Sequence, residues 1–133
     1  MADVAVGGVL PRLDPFRRQM RREALPGESI LDVARRRGVT IPYLCHKDGY
    51  RADGNCRVCV VEIDGERTLA PSCCRAPAPD MKVRTDSDRA RQSRRLVLEL
   101  LLADAPRDLH RDDSELARWA ASEGVAGSRF AAR

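Results

Sequence analysis

Ile30, Val33, Ala34 and Arg37 fall on one helical face with Leu31 beside it, the spacing of a short amphipathic helix. Ser29 stands where a helix N-cap is expected. Asp32 follows three residues later in the manner of a capping box, and Gly38 suits the left-handed residue that ends a helix. Pro26-Gly27-Glu28 reads as a turn before this helix, and residues 39–43 as an extended entry to Leu44-Cys45. From Arg57 the period changes to two. Cys59, Val61 and Ile63 alternate with Val58, Val60 and Glu62, as in a strand. Asp64-Gly65 has the chemistry of a two-residue hairpin turn, which predicts a return strand over 66–71. One more short strand is predicted over 81–85. A long helix is expected from Ser87 to Ala103, with Leu96, Leu100 and Ala103 on its apolar face beside Val97 and Leu101. Pro106 ends it. A shorter helix is expected from Ser114 to Glu123, stopping at Gly124. Residues 1–25 are interrupted by Gly7-Gly8, Pro11 and Pro15 and are expected to supply the first strand or strands, one of them over 19–25.

Composition narrows the chemistry. The chain has 133 residues, enough for one core with an extension. One Trp, two Tyr and two Phe leave the core to Val, Leu, Ile and Ala and argue against a large aromatic-lined substrate pocket. The net charge of +4, from 24 basic and 20 acidic residues, is mild and of mixed sign, the pattern of a solvated surface. Arg89, Arg91, Arg94 and Arg95 crowd the start of the long helix, but no stacking aromatics accompany them, so nucleic acid is not an expected partner. No apolar run approaches the roughly 18 to 20 residues of a membrane span. The first ten residues lack the basic leader and long apolar stretch of a signal peptide. A cytoplasmic location is the expectation. There, five cysteines are more readily metal ligands than disulfide partners. No Gly-rich phosphate loop, paired catalytic carboxylates or Ser-His-Asp arrangement is recognisable, so no catalytic residue and no substrate site are assigned to this chain.

The cysteines carry the chemistry. Cys45, Cys56, Cys59 and Cys73 are separated by ten, two and thirteen residues. The Cys56–Cys59 pair sits at the mouth of the predicted hairpin, Cys45 arrives after the first helix, and Cys73 lies at the end of the return strand. Four thiolates converging from three segments suit an iron–sulfur cluster. Gly49 and Gly54 would let backbone N–H groups approach cluster sulfides closely. Arg51, Arg57 and Arg75 would offset negative charge. A structural zinc site is the competing reading, but such sites usually show two close pairs and this chain has one. A Rieske centre is disfavoured, because it needs two His ligands and His46 directly follows Cys45; His46 reads as a flanking residue and His110 as a surface one. Either Cys73 or Cys74 could be the fourth ligand.

The segments 26–38 (PGESILDVARRRG), 41–46 (IPYLCH) and 54–62 (GNCRVCVVE) resemble the N-terminal [2Fe-2S] domain shared by several oxidoreductases. These are the large iron–sulfur subunit of NADH dehydrogenase, iron-only and NAD-reducing hydrogenases, and NAD-dependent formate dehydrogenases. Residues 65–73 (GERTLAPSC) with Met81 look most like the α subunit of the molybdenum formate dehydrogenases. The resemblance implies an α+β fold, a ferredoxin-like β-grasp with one helix across a small mixed sheet. Residues 26–86 would form the cluster domain and 87–133 a helical extension. It implies one [2Fe-2S] cluster on Cys45, Cys56, Cys59 and Cys73, with Gly49, Gly54 and Arg57 around it. Cys73 is selected over Cys74 by its thirteen-residue spacing and by Met81 eight residues on. A potential near that of plant-type ferredoxins, about −400 mV, is expected. Many relatives continue with a His-Cys-Cys-Cys motif that binds a [4Fe-4S] cluster. Here the matching positions are Ala105 and about Leu109, Asp112 and Arg118, so no [4Fe-4S] cluster is expected. The implied function is electron relay in a formate dehydrogenase-type complex, with molybdopterin and flavin/NAD modules as partners. The alternative is the same module of an NAD-reducing hydrogenase or NADH dehydrogenase.

Overall fold

The computed structural model describes residues 24–105 and 114–131. The first strands expected before residue 24 lie outside the described residues. The order of elements is α1 (Ile30–Arg36), β1 (Val60–Ile63), β2 (Ala70–Pro71), β3 (Val83–Arg84), α2 (Asp88–Asp104) and α3 (Glu115–Ser122). This is the expected α+β class. The three strands form an antiparallel sheet in the order β2-β1-β3, with Val61 opposite Ala70 and Ile63 opposite Val83. The expected mixed sheet needs a parallel partner, and none is found among the described residues.

Each helix begins and ends for a local reason. Ser29 caps α1: its Oγ accepts from Asp32 N at 3.1 Å while the Asp32 carboxylate accepts from Ser29 N at 2.9 Å, a complete capping box. Ser87 and Ser114 cap α2 and α3 through Ala90 N and Ala117 N. Both α1 and α3 close with a left-handed glycine, Gly38 at φ +73° and Gly124 at φ +74°. The next residue then donates back to the helix, Val39 N to Ala34 O and Val125 N to Ala120 O, both at 2.8 Å.

The period-two pattern of β1 puts a different layer on each face. Cys59, Val61 and Ile63 share a core with Ile30, Leu31, Val33 and Ala34 of α1. On the other face Val58 is buried with Leu98, Ala120 and Val125, among Val97, Leu101, Leu102, Leu116 and Trp119 from the C-terminal helices. The cysteines therefore lie at one end of a sheet covered on both sides.

Two expectations need correction. The return strand pairs only over Ala70–Pro71, not over 66–71. The Asp64-Gly65 turn forms, with Glu66 N donating to Ile63 O at 3.1 Å, but residues 66–69 bow away from the ladder. Side chains hold them instead: Arg89 donates to Arg67 O at 2.9 Å, and Glu66 pairs with Arg75. The buried face of α2 is also rotated from its expected phase. Leu96 and Leu100 are 41% and 46% exposed, whereas Ala90, Arg94 and Leu98 are buried. Apolar side chains surround the second half of α2, so periodicity alone leaves its phase open. Arg94, 2% exposed, fixes it by reaching the backbone of the sheet.

Candidate metal centre

The cysteine loop is assembled by hydrogen bonds from the ends of α1 and β1. The orphan N–H groups of Ile30 and Leu31 donate to Arg75 O and Ser72 O, each at 2.9 Å, and so dock α1 on the turn that carries Cys73 and Cys74. Ser72 is fully buried. Its hydroxyl donates to Cys59 O at 2.6 Å and its N–H to the same carbonyl at 3.2 Å. Cys59 and Cys73 are thereby locked side by side in the core, 1% and 4% exposed.

The second pair is Cys45 and Cys56, whose thiols are hydrogen-bonded to each other. Arg57 follows at φ +59°, a left-handed conformation that non-glycine residues rarely adopt. On either side of it, backbone N–H groups turn towards the two sulfurs in the manner of an anion-binding nest. Those of Cys56 and Asn55 reach the Cys45 sulfur, and those of Val58, Cys45 and Leu44 reach the Cys56 sulfur. Burial pushes the Cys45 thiol up, but these donors outweigh it and hold the group below the ordinary thiol range. For Cys56, burial dominates and the net shift is upward. Burial, reinforced by the neighbouring Cys59 and Cys74 thiols, pushes Cys73 far up. Burial thus disfavours the bare thiolates of Cys56 and Cys73, and a bound metal cation would supply the compensating charge in place of the proton.

Among the described residues no three His, Cys, Asp or Glu side chains gather as the ligands of a single ion would. The arrangement is two cysteine pairs, Cys45 with Cys56 and Cys59 with Cys73. Two soft thiolates on each side, with N–H donors aimed at the sulfurs, fit a dinuclear iron–sulfur cluster better than one tetrahedral zinc.

The remaining predicted residues surround this centre. Gly54 is buried at φ +67°, and a Cβ there would lie 2.8 Å from Cys74 Sγ. Gly49, at φ +83°, has open space around it. Of the three cations, Arg75 pairs with Glu66 and Arg51 with Asp53 at 3.5 Å, while Arg57 is exposed beside Cys56. His46 has a buried Nδ1 without a hydrogen-bond partner and packs at 6.2 Å from the Tyr43 ring. His110 lies outside the described residues, as do Leu109 and Asp112.

Helices α2 and α3 cover one side of the centre. Cys56 and Leu44 pack on the same buried cluster as Leu116 and Trp119, Tyr43 lies 6.1 Å from Trp119, and Lys47 pairs with Glu115 at 2.8 Å. Arg94 clamps the arrangement. It donates to Val60 O, next to Cys59, at 3.4 Å, donates to Thr85 O, and pairs with Glu123 at 3.6 Å. Burial lowers its pKa, partly offset by Glu123. Sequence reasoning missed this role, because an arginine in a run of arginines reads as surface. On the opposite side, among the described residues, a groove of about 680 Å³, lined by Pro26, Asp32, His46, Tyr50, Cys73 and Cys74, reaches the Cys59–Cys73 pair at Cys73. Among the described residues no helix is long and apolar enough to cross a membrane.

The chain is similar to known proteins in sequence and in fold. The chain is 46% identical over 87 residues to a subunit of the NADP-reducing hydrogenase of Solidesulfovibrio fructosivorans, which covers 62% of this chain and 15% of that protein. It is 40% identical over 82 residues to the mitochondrial 78 kDa subunit of NADH-ubiquinone oxidoreductase from Candida albicans, covering 62% of this chain and 11% of that one. The chain thus spans less than a sixth of the length of either relative. The fold aligns with a chain in the crystal structure of an NAD+-reducing [NiFe]-hydrogenase in the H2-reduced state. The TM-score is 0.74 at 30% identity, over 82% of this chain and 47% of that one. Residues 20–88, more than half of the sequence and inclusive of all five cysteines, match the family model for this cluster type, and the chain belongs to the 2Fe-2S iron-sulfur cluster binding domain family.

Proposed function

We propose that Cys45, Cys56, Cys59 and Cys73 ligate one [2Fe-2S] cluster through which single electrons pass within a larger, NAD(P)-linked oxidoreductase. The observation that carries this reading is the pairing of the four thiols, Cys45 with Cys56 and Cys59 with Cys73, at one end of a sheet inside the family-matched region. The cluster supplies one-electron chemistry when bound. The chain's own residues bind it, aim N–H groups at its ligands, and exclude water on the side of Trp119 and Leu116. Residues 26–86 would carry the cluster, and 87–133 would support it. Gly54 and Arg57 shape the loop, and Gly49 turns the chain towards it.

The parent complex is read from the relatives. The hydrogenase and NADH dehydrogenase subunits named above support the second of the two sequence readings, a module of an NAD-reducing hydrogenase or NADH dehydrogenase. None of the three supports formate dehydrogenase, so a molybdopterin partner is not part of this proposal. Partners would be the subunits or domains carrying flavin/NAD and further clusters. All five cysteines are free of disulfides, which supports a reducing compartment such as the cytoplasm.

Anaerobic purification of the chain with iron and acid-labile sulfide analysis tests the site. Two irons and two sulfides per chain, and an EPR signal on dithionite reduction, are expected. C56A should lose both. A colourless wild-type protein with one zinc would overturn the assignment.

A further inference from the structure

Cys74 is the fifth cysteine of a chain whose cluster takes four. Its sulfur lies 3.6 Å from that of Cys73. A side-chain rotation that moves either sulfur by this distance would carry it to the place of the other. Their surroundings differ. Cys73 is buried against Cys59, whereas Cys74 is exposed to the groove, with Ala52 O 3.5 Å from its sulfur and Gly54 beneath it. The turn that presents them is held from behind. Cys74 N and Arg75 N both bond Pro71 O, at 3.2 and 3.0 Å, and the N-terminus of α1 bonds Ser72 O and Arg75 O. Exchange of the two sulfurs would need side-chain rotation rather than a move of this backbone.

We infer that Cys74 is an interchangeable fourth ligand, able to take the place of Cys73 on the same iron. This rests on the cluster reading above. The step is a ligand substitution without redox change: the Cys74 thiol gives its proton to water and its sulfur bonds the iron, while the Cys73 sulfur leaves the iron and is protonated. The groove supplies the water that exchanges the protons.

The test compares the wild type, C74A, C73S and C73S/C74A, each purified anaerobically as the full chain and checked for folding by circular dichroism. The readouts are iron, acid-labile sulfide and the EPR of the reduced protein. C74A should keep a full cluster. C73S should keep at least half of the wild-type iron and sulfide with an altered EPR line shape, and C73S/C74A less than a tenth. The double variant separates ligation by Cys74 from ligation by the introduced serine. Native alkylation with mass spectrometry adds an independent readout: Cys74 is modified in the wild type and protected in the cluster-loaded C73S protein. Equal cluster content in C73S and C73S/C74A, whether high or low, would overturn the inference while leaving the four-cysteine site intact. Absence of sulfide from the wild type would instead remove the cluster reading on which it rests.

Discussion

At the scale of single residues, Gly54 shows how the cysteine loop depends on one missing carbon. Its φ of +67° would strain any residue with a Cβ by about 1–2 kcal/mol. The same Cβ would meet Cys74 Sγ at 2.8 Å. These penalties differ in kind. The backbone has no alternative, but Cys74 is exposed and can swing its sulfur towards the groove. The backbone term should therefore dominate. G54A is expected to lower unfolding stability by about 1–2 kcal/mol in urea titrations, and the C74A background should change that loss by less than about 0.5 kcal/mol. A coupling above about 1 kcal/mol would mean that the Cys74 sulfur is held rigidly where it stands. The expectation from sequence was an approach of the Gly54 backbone to cluster sulfides; the close neighbour seen here is the Cys74 side chain. A glycine two residues before a cysteine announces a tight loop, whereas the atom it admits comes from Cys74, twenty residues further on.

At the scale of elements, the local signals were the legible ones. Ser29 with Asp32, Ser87 and Ser114 start their helices, and Gly38 and Gly124 stop two of them, because caps are settled within a few residues. The cysteine spacing was legible for the same reason, since two of the four proposed ligands, Cys56 and Cys59, are close in sequence. Long-range choices were not. The phase of α2 depends on Arg94 finding Val60 O and Thr85 O, and the short β2 depends on Arg67 and Glu66 finding partners outside the ladder. Neither partner lies near in sequence. Ser87 joins the two scales: its Oγ accepts from Ala90 N at 3.2 Å to cap α2 and also bonds Glu62 on β1. That bond first, and Arg89 at 3.3 Å second, hold the Glu62 carboxyl below its ordinary value of 4.5. A folded-state pKa below the unfolded one gives stability that is complete above the unfolded value and is lost as pH falls through the folded one. E62Q should therefore melt roughly 2–5 °C below the wild type at neutral pH, and the two curves should converge as pH drops from 4.5 through the lower folded-state value. A gap that is the same at pH 7 and at strongly acid pH would assign the effect to packing instead of charge.

At the scale of the molecule, the cluster site has a sealed side and an open side. α1 and the α1-facing core close the sheet behind Cys59 and Cys73. α2 and α3 close it over Cys56, and among the described residues the groove beside Cys74 is open. A cluster held between them should be attacked by oxygen through the groove while the helices stay in place. Trp119 is the largest side chain in the helical seal; it packs on the same buried cluster as Leu44 and Cys56 and lies 6.1 Å from the Tyr43 ring. Its removal by W119A should cost about 2–3 kcal/mol, less than a fully buried tryptophan because the ring is half-buried. It should also open a second route to Cys56. The expected result is normal cluster content after anaerobic purification but a several-fold faster loss of visible absorbance in air. Leu96 lies on the outward face of α2, 41% exposed, and L96A serves as the control, which should bleach at the wild-type rate. Equal bleaching of all three proteins would mean that the two C-terminal helices stabilise the fold without shielding the metal centre, and that oxygen reaches the cluster by the groove alone.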